Sequence, residues 1–239
     1  EKPASVVINR EQSLSTSLIE SIEKSGNGGM FITPAQAENM LTDRSLLIIV
    51  DTHSPSFVES VSLYQKSKRV VVIDHHRMMV NHIEGAVVFY HEPYASSASE
   101  MVTELTQYLG ENALNRLEAE ALLAGIMLDT KNFVLKTGVR TFEAAAYLRR
   151  KGADTVEVKR LFSDSIDTYK AKYQMVSGAE IFNSCAIASA DENCSDIRVA
   201  SAQAADELLG IQGVNASFVM YPAGGGINIS ARSLGSVNV

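Results

Sequence analysis

The sequence predicts an α/β protein, with a parallel-sheet domain followed by a smaller domain of mixed α/β structure. Strand-length apolar runs alternate with helix-length segments through the first part of the chain, which is typical of a parallel sheet with helical crossovers. Two strand candidates near the end are instead joined by a glycine-rich turn, which is typical of an antiparallel hairpin. We therefore expect a first domain at 1–165, a helical linker at 166–180 and a second domain at 181–239.

The strands expected in the first domain are short and rich in Val and Ile, as in sheets that are covered on both faces. They fall at residues 5–8, 31–33, 45–50, 70–73 and 86–90. The helices expected between them carry apolar side chains at intervals of three and four residues. They fall at 13–24, 34–40, 56–64, 98–109, 118–129, 141–151 and 156–162, with Thr33 and either Ser96 or Ser97 as N-caps.

The end of the chain has a different pattern. The expected elements are helices at 166–181 and 202–209 and strands at 185–189, 217–221 and 228–233. The last two strands flank Pro222 and three successive glycines, which favour a tight reversal of the chain. The second domain is therefore expected to be a small unit in which strands and helices are mixed.

Composition and charge argue against a protein that binds long nucleic acid and against one that spans a membrane. The 239 residues are 46% hydrophobic and 21% charged, a globular balance, and they carry a formal net charge of -7. That charge disfavours binding to long nucleic acid, which usually requires a basic surface. It is compatible with a small phosphorylated ligand held through metal ions. No apolar run approaches the ~18 residues of a membrane span, so no membrane contact is expected from this chain.

Three apolar segments each end on a carboxylate. One leads to Asp51, a second to Asp74-His75-His76 and a third to Asp129. In open α/β sheets ligands bind at the carboxyl ends of strands, so these groups lie where such a fold places its chemistry. Carboxylate and imidazole together suit Mn²⁺, Fe²⁺ or Zn²⁺. Two metals ~3.5–4 Å apart are a recurrent arrangement for phosphoester hydrolysis, and Asp51 or Asp129 could bridge them.

Each of these groups also has a purely structural interpretation. A single Asp after a strand is more often a turn or capping residue than a metal ligand, and an isolated His is more often a surface residue. The adjacent pair His75 and His76 is harder to explain in that way. Because neighbours on a strand point to opposite faces, we expect different roles for the two rings, one as a metal ligand and the other towards substrate.

The same residues carry a resemblance to a known family. Residues 72–77, which contain Asp74-His75-His76, resemble the signature motif of the DHH phosphoesterase superfamily. Residues 50–53 and 128–131 resemble its second and fourth motifs. The resemblance extends to one branch of this superfamily, the GdpP-type cyclic-di-AMP phosphodiesterases. Further matches to this branch occur, in order along the chain, at residues 92–97, 100–105, 137–145 and 229–235.

The resemblance implies a catalytic DHH domain and a smaller DHH-associated domain across a cleft. It implies two Mn²⁺ ions and the hydrolysis of a cyclic dinucleotide, cyclic-di-AMP, to linear pApA. By position, Asp51, His75 and Asp129 would be metal ligands. His76 would face the scissile phosphate, and Asp74 would orient its neighbours.

The resemblance also concerns the second domain and the parent protein. Ser230 and Arg232 would contact phosphate or base, since a guanidinium group binds phosphate bidentately. The alternative for Arg232 is a surface residue of a strand. The resemblance implies a cytoplasmic domain of a bacterial membrane-anchored protein, and a homodimer is one possible assembly.

The chain departs from the family pattern in two places. The first motif of the superfamily, a His followed by a D-x-D pair, does not occur in the sequence, and no glycine-rich stretch ending in His follows Arg232. The chain also begins at Glu1 rather than Met. We therefore expect a piece of a longer protein that is active at full length. The 239 residues alone are expected to hydrolyse poorly or not at all, because three protein ligands are about half of what two metals require.

Other functions stay open at this point. Another DHH phosphoesterase would be a nanoRNA or pAp hydrolase, a RecJ-like exonuclease or an inorganic pyrophosphatase, and the negative charge argues mildly against the exonuclease. A non-hydrolytic nucleotide-binding module is the alternative from a different class, and the missing first motif is its main support. An H-x-x-x-D-x-D sequence upstream of Glu1 would favour the enzyme.

Overall fold

The computed structural model describes residues 3–10, 15–111, 113–190, 197–235 and 237–239. The chain divides into two compact units, 1–162 and 163–239. The predicted α/β fold class is confirmed, because the strands of the first unit are parallel and those of the second are mixed. Part of the helix expected at 13–24 lies outside the described residues.

The described residues of the first unit form two parallel sheets. Its strands are β1 (Val6–Val7), β2 (Phe31–Ile32), β3 (Leu47–Val50), β4 (Val70–Asp74) and β5 (Val88–His91). β1 pairs with β2, and β3, β4 and β5 form a sheet in that order. In its register Val50 lies opposite Ile73, and Asp74 lies opposite His91. The carboxyl ends of three parallel strands therefore meet at one edge of this sheet.

Seven α-helices are described in the first unit. They are α1 (Thr16–Ile22), α2 (Pro34–Met40), α3 (Val61–Lys66), α4 (Ala98–Thr106), α5 (Arg116–Asp129), α6 (Val139–Arg150) and α7 (Thr155–Arg160). The Thr33 cap is confirmed, and Ser97 rather than Ser96 caps α4 by accepting from the backbone of Glu100. α3 begins later than expected, because Ser60 accepts from Leu63 N and caps the helix there.

Helices α4 and α5 pack closely at a glycine. A Cβ atom added at Gly125 would lie 2.1 Å from Oγ and 2.9 Å from Cβ of Ser99. Neighbouring turns of α5 bury Leu123 and Ile126 in a core shared with Leu148 of α6. The end of α5, which carries Asp129, is therefore fixed by packing on two sides.

The second unit has a four-stranded mixed sheet. Its elements are α8 (Ile166–Ser177), β6 (Glu180–Phe182), β7 (Cys185–Ser189), α9 (Ile197–Leu208), β8 (Ala216–Ala223) and β9 (Gly226–Ser233). The strand order is β6-β7-β8-β9; β7 and β8 are parallel, and the other pairs are antiparallel. The expected β8–β9 hairpin is confirmed. Its turn residues Gly224 and Gly225 have φ of 58° and 81°, which the tight hairpin turn requires.

One expectation for this unit was wrong. The helix predicted at 166–181 ends at Ser177, and Glu180–Phe182 forms a strand because it pairs with the beginning of β7. Met175 of α8 packs with Ala204 and Leu208 of α9 in the core of the second unit. The domain limits 1–165, 166–180 and 181–239 stay a prediction. None of the helices in the described part of the chain has the length and apolar character needed to cross a bilayer.

Candidate metal centre and active site

Asp51 follows β3 and has a left-handed backbone. Its N–H donates to the carbonyl of Ile73 over 3.0 Å, so it is still tied to β4. Its φ is 64°, a conformation that Asp tolerates better than most residues. The chain turns sharply here, and the half-exposed carboxylate remains accessible at the edge of the sheet. Left-handed residues other than glycine are often found at functional sites.

Asp74 ends β4 and is fully buried. Its Oδ1 accepts from the backbone N–H of His75 at 2.8 Å and of His76 at 3.3 Å, and from Nδ1 of His76 at 2.8 Å. Its Oδ2 accepts from Nδ1 of His53. One carboxylate therefore contacts both histidines of the motif, His75 through its main chain and His76 through its main chain and its ring.

The ring of His53 is 1% exposed and has a partner on each nitrogen. Nε2 accepts from the backbone N–H of Met79 at 2.9 Å, so Nδ1 carries the proton that is donated to Asp74. Burial alone would raise the pKa of Asp74, but the hydrogen bonds from His76 and His53 outweigh it and lower that pKa below its ordinary value. Asp74 therefore stays ionised as a hydrogen-bond acceptor.

The ring of His75 is held between a carbonyl group and two carboxylates. Its Nδ1 donates to the carbonyl of Ala95 at 3.3 Å. Its Nε2 lies 3.3 Å from Oδ1 of Asp51 and 3.5 Å from Oδ2 of Asp129. The three residues predicted as metal ligands are therefore brought together, and a single ring nitrogen faces both acids.

This arrangement fits a cation. Burial lowers the pKa of His75, but the hydrogen bond to Asp51 and the charges of Asp129 and Asp51 outweigh it and raise that pKa overall. Burial and then the charge of Asp51 raise the pKa of Asp129. Both shifts mean that the cluster takes up positive charge readily, and a divalent cation bound by the same oxygens and nitrogen would serve that need.

His76 lies beside this cluster and is half-exposed. Its ring centroid is 4.5 Å from that of His75, and its Nδ1 is 4.0 Å from Oδ1 of Asp51. Ligand atoms of Asp51, His75 and His76 all lie within 4.8 Å of one another, so these residues form a possible metal-binding cluster. Because Asp74 holds Nδ1, Nε2 is the nitrogen of His76 that is suited to a metal or a substrate.

Asp129 is the last residue of α5. The carbonyl end of a helix carries partial negative charge, which favours a cation near this carboxylate. After Thr130, the residues Lys131, Asn132 and Phe133 have φ of 49°, 58° and 64°. Three successive left-handed residues turn the chain away and leave Asp129 at the helix end.

Ser230 and Arg232 lie on β9 in the second unit and stay predictions. Nε of Arg232 donates to Oδ1 of Asp206 at 2.8 Å, and Nη1 donates to the carbonyl of Ala231 at 2.9 Å. Both Ser230 and Arg232 are half-buried. These contacts orient the guanidinium group on β9 within this unit.

Sequence reasoning missed residues that support the motif. His53 was noted only as part of the second motif, yet it binds Asp74. His91 donates from Nε2 to the carbonyl of His76 at 2.6 Å, and its ring centroid is 5.2 Å from that of His53. His91 ends the strand next to β4, so the rule that placed Asp51 and Asp74 at one sheet edge was a signal for it.

Part of this chain matches a known family of protein domains. Residues 12–126 match the family model described as the N-terminal domain of the DHH family, and this stretch contains Asp51, His75 and His76. This part of the chain is therefore similar to the N-terminal domain of the DHH family.

Two relatives of known name indicate which branch of the family this chain resembles. The chain is 50% identical over 211 residues to cyclic-di-AMP phosphodiesterase GdpP of Geobacillus thermodenitrificans (strain NG80-2), and 47% identical over 214 residues to cyclic-di-AMP phosphodiesterase GdpP of Bacillus subtilis (strain 168). Each match covers 87% of this chain and 32% of the relative, so the chain spans about a third of the length of these proteins. The resemblance to GdpP-type proteins is confirmed.

A solved structure shares the fold. The crystal structure of an exopolyphosphatase-related protein from Bacteroides fragilis matches with a TM-score of 0.76 and 18% identity. The match covers 97% of this chain and 78% of that chain. At this level of identity the likeness concerns the fold alone.

Proposed function

We propose that this chain carries the catalytic residues of a metal-dependent phosphodiesterase that hydrolyses cyclic-di-AMP to linear pApA. The main support is the convergence of Asp51 and Asp129 on Nε2 of His75, at 3.3 and 3.5 Å. The second support is the likeness to two proteins that are named cyclic-di-AMP phosphodiesterases. The identity of about one residue in two is spread over most of this chain.

Asp51, Asp129 and His75 would hold Mn²⁺. Two carboxylates and an imidazole without thiolate suit this ion. When bound, it would supply positive charge against the phosphate and an activated water. A second Mn²⁺, as the family resemblance implies, requires ligands in addition to these three.

His76 would act on the substrate. Hydrolysis forms a bond from a water oxygen to phosphorus and breaks the bond from phosphorus to O3′ of one ribose. The attacking water loses one proton, and O3′ gains one. Nδ1 of His76 donates to Asp74 at 2.8 Å, so when the ring is doubly protonated its Nε2–H can polarise the phosphate or deliver this proton. In the second unit, Ser230 and the guanidinium of Arg232 would bind phosphate or base.

The setting of the chain is also a proposal. The relatives are about three times longer than the part that this chain matches, which supports a longer parent protein. We place the chain on the cytoplasmic side of a membrane-anchored parent, and we propose that it forms a homodimer. Cell fractionation with an antibody against this chain tests the first statement, and light scattering of the purified chain tests the second.

The activity is tested by direct comparison of substrates. Cyclic-di-AMP, pApA and pyrophosphate are each incubated with the 239-residue chain and Mn²⁺, and the products are separated by chromatography. The same assay is run on the chain extended into its flanking natural sequence, which tests whether further residues complete the site. Asp51→Asn serves as the inactive control, because it preserves shape and removes one ligand charge.

The outcomes separate the candidate functions. Conversion of cyclic-di-AMP to pApA that requires Mn²⁺ and is lost in Asp51→Asn supports the proposal. Faster turnover of pApA or pyrophosphate would instead indicate another DHH phosphoesterase. Tight binding of cyclic-di-AMP without any hydrolysis by either protein would indicate a nucleotide-binding module.

A further inference from the structure

Two parts of the chain that resemble the GdpP-type branch, residues 92–97 with 100–105 and residues 137–145, contain none of the ligands or substrate-facing groups described above. The structure brings them together around Arg140, in the first turn of α6. Nε and Nη2 of Arg140 donate to the two carboxylate oxygens of Glu104, each at 2.8 Å. This bidentate pair joins α6 to α4.

A second carboxylate of α4 lies deeper. Glu100 is 1% exposed, and its Oε1 lies 3.9 Å from Nε of Arg140. Its Oε2 accepts from the hydroxyl of Ser96 at 2.6 Å, and Ser96 is equally buried. A buried carboxylate is costly unless it is paired, so Arg140 and Ser96 together keep Glu100 in place.

The network ends next to the side chains of the candidate metal site. Ser96 follows Ala95, whose carbonyl accepts from Nδ1 of His75 at 3.3 Å. Ala95 is itself buried, and its N–H donates to the carbonyl of Glu92 at 3.0 Å. Fixing Ser96 therefore fixes the direction of the Ala95 carbonyl, and that carbonyl decides which nitrogen of His75 faces Asp51 and Asp129.

We propose that Ser96, Glu100 and Arg140 are positioning residues for His75, because they hold the Ala95 carbonyl that orients its ring. They do not touch the metal or the substrate. The inference rests on the metal site proposed above and adds to it. It explains why two motifs far apart in sequence converge on a residue that neither of them contains.

The test compares two variants with a matched control. Ser96→Ala removes the hydroxyl that binds Glu100, and Arg140→Gln removes the cation beside it. Thr106→Val is the control, since Thr106 is a buried residue on the same helix whose hydroxyl donates to the carbonyl of Thr103. Arg140 is 43% exposed, so its variant keeps the test possible if Ser96→Ala does not fold.

Two measurements are made on each protein. Titration with Mn²⁺ is expected to show about tenfold weaker binding in both test variants and unchanged binding in Thr106→Val. Metal-free protein with ¹⁵N-labelled histidine rings is then compared by NMR. The Nδ1 proton of His75 is expected to exchange slowly in the wild type and in Thr106→Val, and rapidly in the two test variants. Glu100→Gln retains an acceptor for Ser96, so its losses should be smaller.

The result that overturns the inference is wild-type Mn²⁺ affinity together with slow Nδ1 exchange in both test variants. Equal losses in Thr106→Val would also overturn it, because they would show general loosening of α4. If the wild-type chain binds no Mn²⁺, the proposed metal site fails, and the exchange of the Nδ1 proton still decides whether this network positions His75.

Discussion

Met79 donates its backbone N–H to Nε2 of His53 over 2.9 Å, and this hydrogen bond determines how the second ring nitrogen is used. Since Nε2 is an acceptor, Nδ1 carries a proton and donates it to Asp74. The carboxylate of Asp74 is thereby left to accept from His76 as well. A main-chain group thus fixes the tautomer of His53, which donates to the same carboxylate as His76.

Replacing His53 is expected to destabilise the first unit. His53→Ala leaves Asp74 buried with one fewer donor and opens a cavity, so we expect a loss of about 3 kcal/mol in the free energy of unfolding. His53→Asn should lose less, because its amide can still donate to Asp74. Urea unfolding followed by circular dichroism measures both. Equal stability of the two variants would show that the hydrogen bond to Asp74 contributes nothing.

Replacing each of the two histidines of the motif is expected to impair a different property, metal binding for His75 and turnover for His76. His75→Ala removes the nitrogen that faces both acids, so Mn²⁺ binding should fall by at least about a hundredfold. His76→Ala should retain Mn²⁺ affinity within about threefold and lower kcat by about 10²–10⁴ in an active preparation. Mn²⁺ titration and steady-state kinetics measure the two effects. If His76→Ala loses Mn²⁺ as completely as His75→Ala, then His76 is a ligand.

The stability of the metal-free protein is expected to fall as pH rises. The pKa of His75 is raised in the folded state above its ordinary value of 6.5, so the folded state binds a proton more tightly than the unfolded state. The stability that this proton provides is complete below about pH 6.5 and is lost as pH rises through the folded pKa.

This loss is measured as the difference in unfolding free energy between the wild type and His75→Gln, in the presence of a chelator. Asp51→Asn should reduce the difference, because it removes the acceptor that contributes most to raising this pKa. A difference that stays constant or grows with pH above about 6.5 would contradict the expected raised pKa.

Gly125 is expected to tolerate no side chain unless Ser99 is also changed. A Cβ at Gly125 would lie 2.9 Å from Cβ of Ser99, so Gly125→Ala should cost about 1–3 kcal/mol through overpacking of α5 against α4. Ser99→Gly made in the same chain should recover most of that loss. Urea unfolding of both single variants and the double variant completes the cycle. Additive losses would show that the two positions do not meet.

Much of the fold, and the grouping of residues at the centre of the candidate site, could be predicted from the sequence. Repeated apolar runs predicted the parallel strands, and the alignment of parallel strands brought Asp51 and His75 to one edge. Asp129 was predicted as a site residue by the same reasoning, because it lies at the polar end of an apolar segment, the helix α5. These predictions rest on local periodicity and on one general rule of α/β topology.

The surrounding contacts were not predictable in this way. The bond between His53 and Asp74 joins residues 21 positions apart, and that between Arg140 and Glu104 joins residues 36 positions apart. Neither pair has a spacing that a helix or strand would repeat. The strand Glu180–Phe182 was missed for a related reason, because pairing with β7 rather than its own pattern makes it a strand.

The left-handed run Lys131 to Phe133 prevents α5 from continuing beyond its present end. Thr130 separates the helix from this run, and packing of α5 against α4 and α6 holds Asp129 at one angular position about the helix axis. Each residue of an α-helix turns the chain by about 100°, so an insertion or deletion of one residue between Gly125 and Asp129 would swing the carboxylate away from His75 without replacing it. Natural variation in this stretch should therefore consist of substitutions, and changes of length should be confined to the loops on either side.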